Sequence, residues 1–230
     1  MSKFIDVGRA TTTAVAGKDP TELQVASYVD ERGYIQNAGF ILRPIPALEK
    51  GKLTGPRAIV LHRTAGDSLA SALNAAGPSG THFYVDKDGS VYQVASLHRK
   101  TYHVGLIKSK CMAEDTCPRT EQKTISSWGW APRRIHDHEK AKPYPDRYPM
   151  NEDSVGIEVV SRCLRECGPG DSDSAVWEDP TAEQRDSISL LVRLLQRIYG
   201  LSDDDVYEHD KVSYKKGGEG AGLYGSTANE

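Results

Sequence analysis

The stretch AIVLHRTAG, Ala58 to Gly66, decides how this chain is read. An apolar, β-branched run ends at a histidine and breaks into a Thr-Ala-Gly turn. A short continuous apolar run bounded by a turn predicts a strand covered on both faces. His62 is then either a hydrogen-bonded core residue or a ligand carried to a strand end. Both readings stay open on this stretch alone.

Working outward, DSLASALNAAG reads as a short helix, with Asp67 as N-cap and Gly77 as its stop. THFYVDKDGSVYQVA alternates on either side of Lys87-Asp88-Gly89, the pattern of a hairpin. SVGIEVVSRC returns to a buried strand. In TAEQRDSISLLVRLLQRIYG, Thr181 and Gln184 form a capping box. Ile188, Leu191, Leu194, Leu195 and Ile198 make one apolar stripe, and Gly200 ends the helix. This order predicts an α/β fold, a mixed central sheet flanked by helices.

The 230 residues suffice for one substantial domain with appended segments. Residues 1–55 carry turn signals and no long period, and are expected to be an N-terminal extension packed on the main domain, 56–230. Within that domain, residues 106–150 show neither period and are expected to be a loop-rich insertion. His136 and His138, in its proline-rich part, are expected on a solvated face.

Composition narrows the partners. A net charge of −3 and a pI near 6.2 leave no basic footprint for nucleic acid. No run reaches the roughly 18 apolar residues of a membrane span, so no membrane insertion is expected. The first twenty residues, MSKFIDVGRATTTAVAGKDP, contain no apolar core of a signal peptide. The cysteines fall into close pairs, Cys111 with Cys117 and Cys163 with Cys167. Two local disulfides fit this spacing better than a zinc knot, with four free cytosolic thiols as the alternative. Disulfides would mean an oxidising workplace, reached without a cleavable signal peptide.

Other residues carry chemistry. His209 closes DDDVYEH as His62 closes its strand, and two such ends converge if their strands are neighbours. Catalytic zinc needs three protein ligands and an open position. Glu219, in KKGGEG, could return to His209 because glycines flank it, or the loop could be a solvated terminus. Asp210 is the other carboxylate, but an adjacent residue on an extended chain points away. Glu158, inside VGIEVV, is a charge in an apolar strand and needs either a function or a cation partner.

Together, AIVLHRTAG, THFYVDKDGSVYQVA, TYHVG, NEDSVGIEVV, TAEQRDSISLLVRLL and EHDKVSYKKGGEG occur in the order found in zinc-dependent N-acetylmuramoyl-L-alanine amidases. The chain resembles this amidase-2 family, which includes phage lysozyme-type amidases and peptidoglycan recognition proteins. The resemblance spans residues 57 to 224 and leaves out the first fifty residues and the insertion. It implies Zn2+ held by His62, His209 and Glu219, and Glu158 as the catalytic acid. The family places a lysine two residues before its third ligand. Gly217 stands there in this chain, with Lys216 one position earlier as the catalytic cation. Thr81, His82 and His103 become substrate-binding candidates along the cleft wall. Trp128 and Trp130 could stack on sugar faces or anchor a long loop.

The implied substrate is peptidoglycan, cut at the amide between N-acetylmuramic acid and L-alanine. Some family members lack the third ligand and only bind peptidoglycan, so a non-catalytic binding module is the alternative reading. A wall-cutting enzyme with disulfides and no signal peptide suggests an antibacterial effector delivered by type VI secretion. Its place of work would be the periplasm or cell wall of a target bacterium, and a cognate immunity protein would block its cleft.

Overall fold

The computed structural model describes residues 27–165, 175–214 and 217–225. In chain order the elements are β1 (Tyr28–Val29), β2 (Ile35–Gln36), β3 (Ile41–Leu42), β4 (Ala58–Ala65), α1 (Leu69–Ala75), β5 (Phe83–Val85) and β6 (Val91–Gln93). They continue with α2 (Lys110–Ala113), α3 (Arg119–Ser126), α4 (Pro132–Lys140), β7 (Ser154–Arg165), β8 (Val176–Trp177), α5 (Ala182–Tyr199), β9 (Val206–Glu208) and α6 (His209–Val212).

The main sheet runs β3-β6-β5-β7-β4-β9, with β8 added along β7. β4 lies between β7 and β9 and is parallel to both. The β5–β6 and β7–β8 pairs are antiparallel, so the sheet is mixed, as expected. Ile41 and Leu42 pair with β6, so the segment ahead of β4 contributes a strand to this sheet.

β4 is buried on both faces, which explains its unbroken apolar run. Ile59 and Leu61 face α5, packing with Ile157, Val159, Ile188, Leu191 and Leu195. Val60 faces the other way, into Val104, Ile107, Tyr148, Met150 and Val212. Each fully buried leucine or isoleucine here contributes about 2 kcal/mol of transfer free energy. The α5 stripe is the expected one, with the Thr181–Gln184 capping box at its start and Gly200 at its end. Helix α1 is capped by Ser68 rather than Asp67. The Ser68 hydroxyl accepts the Ser71 N–H, and the helix stops at Ala76, just before Gly77.

The insertion differs from its expected form. It is largely helical, α2 to α4, and Cys111 is disulfide-bonded to Cys117 across the junction of α2 and α3. Its helices are too short to show a period: α2 buries no residue, α3 buries Ile125, and α4 buries Ile135 and Glu139. Two of its prolines start helices, Pro118 as the cap of α3 and Pro132 in the first turn of α4. Proline belongs at a helix start, where its missing N–H costs nothing. Cys163, on β7, is also disulfide-bonded, while Cys167 lies outside the described residues. Among the described residues no helix is long and apolar enough to cross a membrane.

Candidate metal centre

The parallel pairing of β4 with both β7 and β9 assembles the site. His62 stands at the end of β4's buried run, and His209 follows β9 immediately as the first residue of α6. Both histidines are 2% exposed, so neither ring can stay there without polar partners. Their rings lie 4.1 Å apart. The Glu219 carboxylate reaches both, with Oε1 at 2.8 Å from His209 Nδ1 and 3.7 Å from His62 Nδ1. The three ligand atoms lie within 4.8 Å of one another.

Hydrogen bonds on the far side of each ring fix which nitrogen faces inward. The Ser154 hydroxyl donates to the Met150 carbonyl at 2.7 Å, so toward His103 Nε2, 3.2 Å away, it can only accept. His103 therefore carries its proton on Nε2 and presents a lone pair at Nδ1. That lone pair accepts from His62 Nε2–H at 3.1 Å. His209 Nε2–H donates to the Val104 carbonyl at 3.0 Å. In both metal-facing rings the neutral form thus directs the Nδ1 lone pair toward Glu219. Two lone pairs and a carboxylate oxygen facing one another repel unless a proton or a cation lies between them. Two imidazoles and a carboxylate are also a ligand set that zinc accepts, so the residues fit the metal. Burial raises the Glu219 pKa, but when a proton sits on the facing Nδ1 atoms, hydrogen bonds and charge from His209 and His62 outweigh burial and hold the carboxyl well below the usual range.

The loop carrying Glu219 is tied down at several points. Asp210 N–H donates to the Glu219 carbonyl, and the Asp210 carboxylate accepts the Gly218 N–H at 2.8 Å. Arg63 donates to the Gly218 carbonyl, and Trp177 Nε1–H to that of Gly217. Gly220 has φ +104°, and a Cβ there would collide with the Leu61 carbonyl oxygen and come within 2.9 Å of His209 N. Only glycine lets the loop turn back this close to β4.

Glu158 is the register partner of His62 on β7 and of Tyr84 on β5. Register partners on adjacent parallel strands leave the same face, so Glu158 shares the face of His62. Burial, then the Glu158 charge, pushes the Tyr84 hydroxyl above its ordinary value.

Comparison with known proteins settles the lineage. Residues 52–220 match the family model described as N-acetylmuramoyl-L-alanine amidase, Amidase_2. The chain belongs to this amidase family. No curated protein matches it in sequence. Among solved structures it is similar to a selenomethionine derivative of AmpD, with 14% identity, a TM-score of 0.48, and coverage of 79% of this chain and 86% of that one. It is also similar to Pseudomonas aeruginosa AmpDh3 in complex with anhydromuramic pentapeptide, at 15% identity and TM-score 0.46, covering 71% of this chain and 55% of that one. A third is the N-acetylmuramoyl-L-alanine amidase LysC from Clostridium intestinale URNW, at 16% identity and TM-score 0.39, covering 74% and 83%.

The amidase places its other expected site residues differently from one another. Thr81 and His82 are fully buried and stand inside the wall of the site rather than on its surface. The Thr81 hydroxyl donates to the Phe83 carbonyl. His82 accepts the Gly156 N–H at Nδ1 and donates from Nε2 to the Arg99 carbonyl. Burial pulls its pKa down to about 4, so it is a neutral strut between strands. His103 is 8% exposed, and both of its ring nitrogens are engaged, by His62 and by Ser154. Lys216 lies outside the described residues.

In the insertion, His136 and His138 are half-exposed, as part of a solvated face, but each has a partner. His136 accepts the Ile107 N–H, and His138 pairs with Glu121 at 2.9 Å. Trp128 anchors α3 to α4, with the Arg134 guanidinium 4.4 Å from its ring and His138 edge-on to it. Trp130 is 84% exposed and meets Tyr214 edge-on, near the loop that leads to Glu219. A second group, Cys111, Glu121 and Glu139, is no metal site: the sulfur is in a disulfide, and Lys142 bridges the two carboxylates. Sequence reasoning did not single out Asn151, Ser154, Arg63 and Trp177, whose hydrogen bonds support the segments around the site. Asn151, Arg63 and Trp177 bond backbone groups, and Ser154 bonds the buried His103 ring and the Met150 carbonyl; none of these leaves a spacing signature. The nearest signal was the NEDS tetrapeptide ahead of β7.

Proposed function

We propose that this protein is a zinc-dependent N-acetylmuramoyl-L-alanine amidase that hydrolyses the amide between N-acetylmuramic acid and the L-alanine of the stem peptide. One observation carries the reading: His62, His209 and Glu219 turn three acceptor atoms toward a common point, with Glu158 on the same face. Zinc would be held by those three residues and would supply Lewis acidity for the carbonyl and for the attacking water. Glu158 takes a proton from that water and then delivers one to the departing L-alanine nitrogen, as a general base followed by a general acid. Charge builds on the carbonyl oxygen as the carbon becomes tetrahedral, and Lys216 is the chain's own cation assigned to it. Trp130 offers a flat exposed ring on which a sugar face can stack.

We also propose that the amidase is an antibacterial effector delivered by type VI secretion into the periplasm or wall of a target bacterium, where a cognate immunity protein would cover its cleft. The Cys111–Cys117 disulfide supports work in an oxidising compartment.

The test is direct. Purified protein should contain stoichiometric zinc and clarify a suspension of sacculi, losing this activity with a chelator and regaining it with added zinc. Zinc-loaded protein that binds sacculi without dissolving them would return the binding-module reading. For the delivery proposal, expression directed to the periplasm of a susceptible bacterium should lyse it, and harmless periplasmic expression of active enzyme would sink the effector role.

A further inference from the structure

One two-residue segment supplies the outer partner of both metal-facing histidines. His103 Nδ1 accepts from His62, and the adjoining Val104 carbonyl accepts from His209. The two backbone N–H groups of that segment share a single acceptor atom. Asn151 Oδ1 accepts the His103 N–H and the Val104 N–H, both at 2.9 Å. The His103 ring is fixed at its other end by Ser154, whose hydroxyl is anchored on the Met150 carbonyl. Space for the ring comes from Gly156, where a Cβ would lie 2.7 Å from His103 Nδ1.

We propose that Asn151 and Ser154 are positioning residues for the metal centre, acting through His103 and Val104 to set the tautomer and direction of both His62 and His209. Neither side chain is among the three whose donor atoms converge on the metal position. Asn151 sets where the two acceptors stand, and Ser154 sets which nitrogen of His103 is the acceptor. Outer partners of this kind fix ligand orientation, and their loss typically weakens metal binding by about 10- to 100-fold. The proposal rests on the zinc reading above.

The experiment measures zinc dissociation constants by competition with a chromophoric chelator for the full-length wild type and for Asn151→Ala, Asn151→Asp and Ser154→Ala. Thermal denaturation of each metal-free protein checks its fold. Asn151→Ala and Ser154→Ala should bind zinc about 10- to 100-fold more weakly while the metal-free proteins melt near the wild type. Asn151→Asp keeps an oxygen able to accept both N–H groups and should restore affinity to within a few-fold. If the wild type binds zinc and both alanine variants bind it equally well, the proposal is overturned and the zinc reading stands. If Asn151→Ala unfolds, Ser154→Ala and Asn151→Asp decide it by the same criteria. A wild type that takes up no zinc overturns the zinc reading and this proposal with it.

Discussion

Glu158 lies opposite His62 in register, and the proposed chemistry turns on this pair. Glu158→Gln keeps the size of the side chain and removes its ability to take a proton. The expected result is a loss in kcat of about 10²- to 10⁴-fold with zinc content unchanged, measured on sacculi and by metal analysis. A parallel loss of zinc would move Glu158 from acid–base work to metal support. At this scale the sequence was informative where side chains do the work. His62, His209 and Glu219, one at a strand end, one just beyond another and one in a glycine loop, come together as the resemblance implied. It was uninformative where buried hydrogen bonds decide what a side chain can reach. Nothing in TYHVG distinguishes a histidine that meets substrate from one whose ring is taken up by His62 and Ser154. The same holds for Thr81 and His82, whose partners are all backbone or buried neighbours.

At the scale of elements, the Glu219 loop depends on Gly220. Gly220→Ala combines a positive φ with collision against the Leu61 carbonyl, so the loop must move. Zinc affinity is expected to fall by about 10-fold or more, and an unchanged dissociation constant would show that Glu219 does not depend on this turn. The strand additions carry a pH signature. Glu178, beside β8, accepts from Lys87 at 2.6 Å and from the Arg162 N–H at 3.1 Å. The Lys87 hydrogen bond is the main reason its pKa falls to about 2. A carboxyl depressed in the folded state gives stability above its unfolded pKa of about 4.3 and loses it as pH falls toward the folded value. Glu178→Gln should therefore lower the melting temperature at pH 7 by about 2–4 °C, a difference that closes as pH is lowered from about 4.3 to 2. A difference that persists at pH 2 would assign the effect to packing. The long, strongly patterned elements, β4, β7, the β5–β6 hairpin and α5, were legible in the sequence. The insertion was not, because α2, α3 and α4 are held by a disulfide and by Lys142 between Glu121 and Glu139, and none of these contacts has a period.

For the whole molecule, the mixed sheet separates two tasks. The α5 face buries the main core, with Ile157 and Leu191 fully enclosed. The opposite face carries His62 and Glu158, and β9 leads into His209. Parallel pairing brings the C-terminal ends of β4 and β9 to the same end of the sheet, so residues far apart in sequence share one site. The fold class could be read from the order of patterned segments, and the membership from six ordered motifs. The substrate bond is the central claim and can be measured directly. Sacculi digested with the zinc-loaded amidase should yield free stem peptides beginning with L-alanine and glycan strands of unbroken length, identified by mass analysis of the soluble products. Fragments cut within the stem peptide or between sugars would contradict the account.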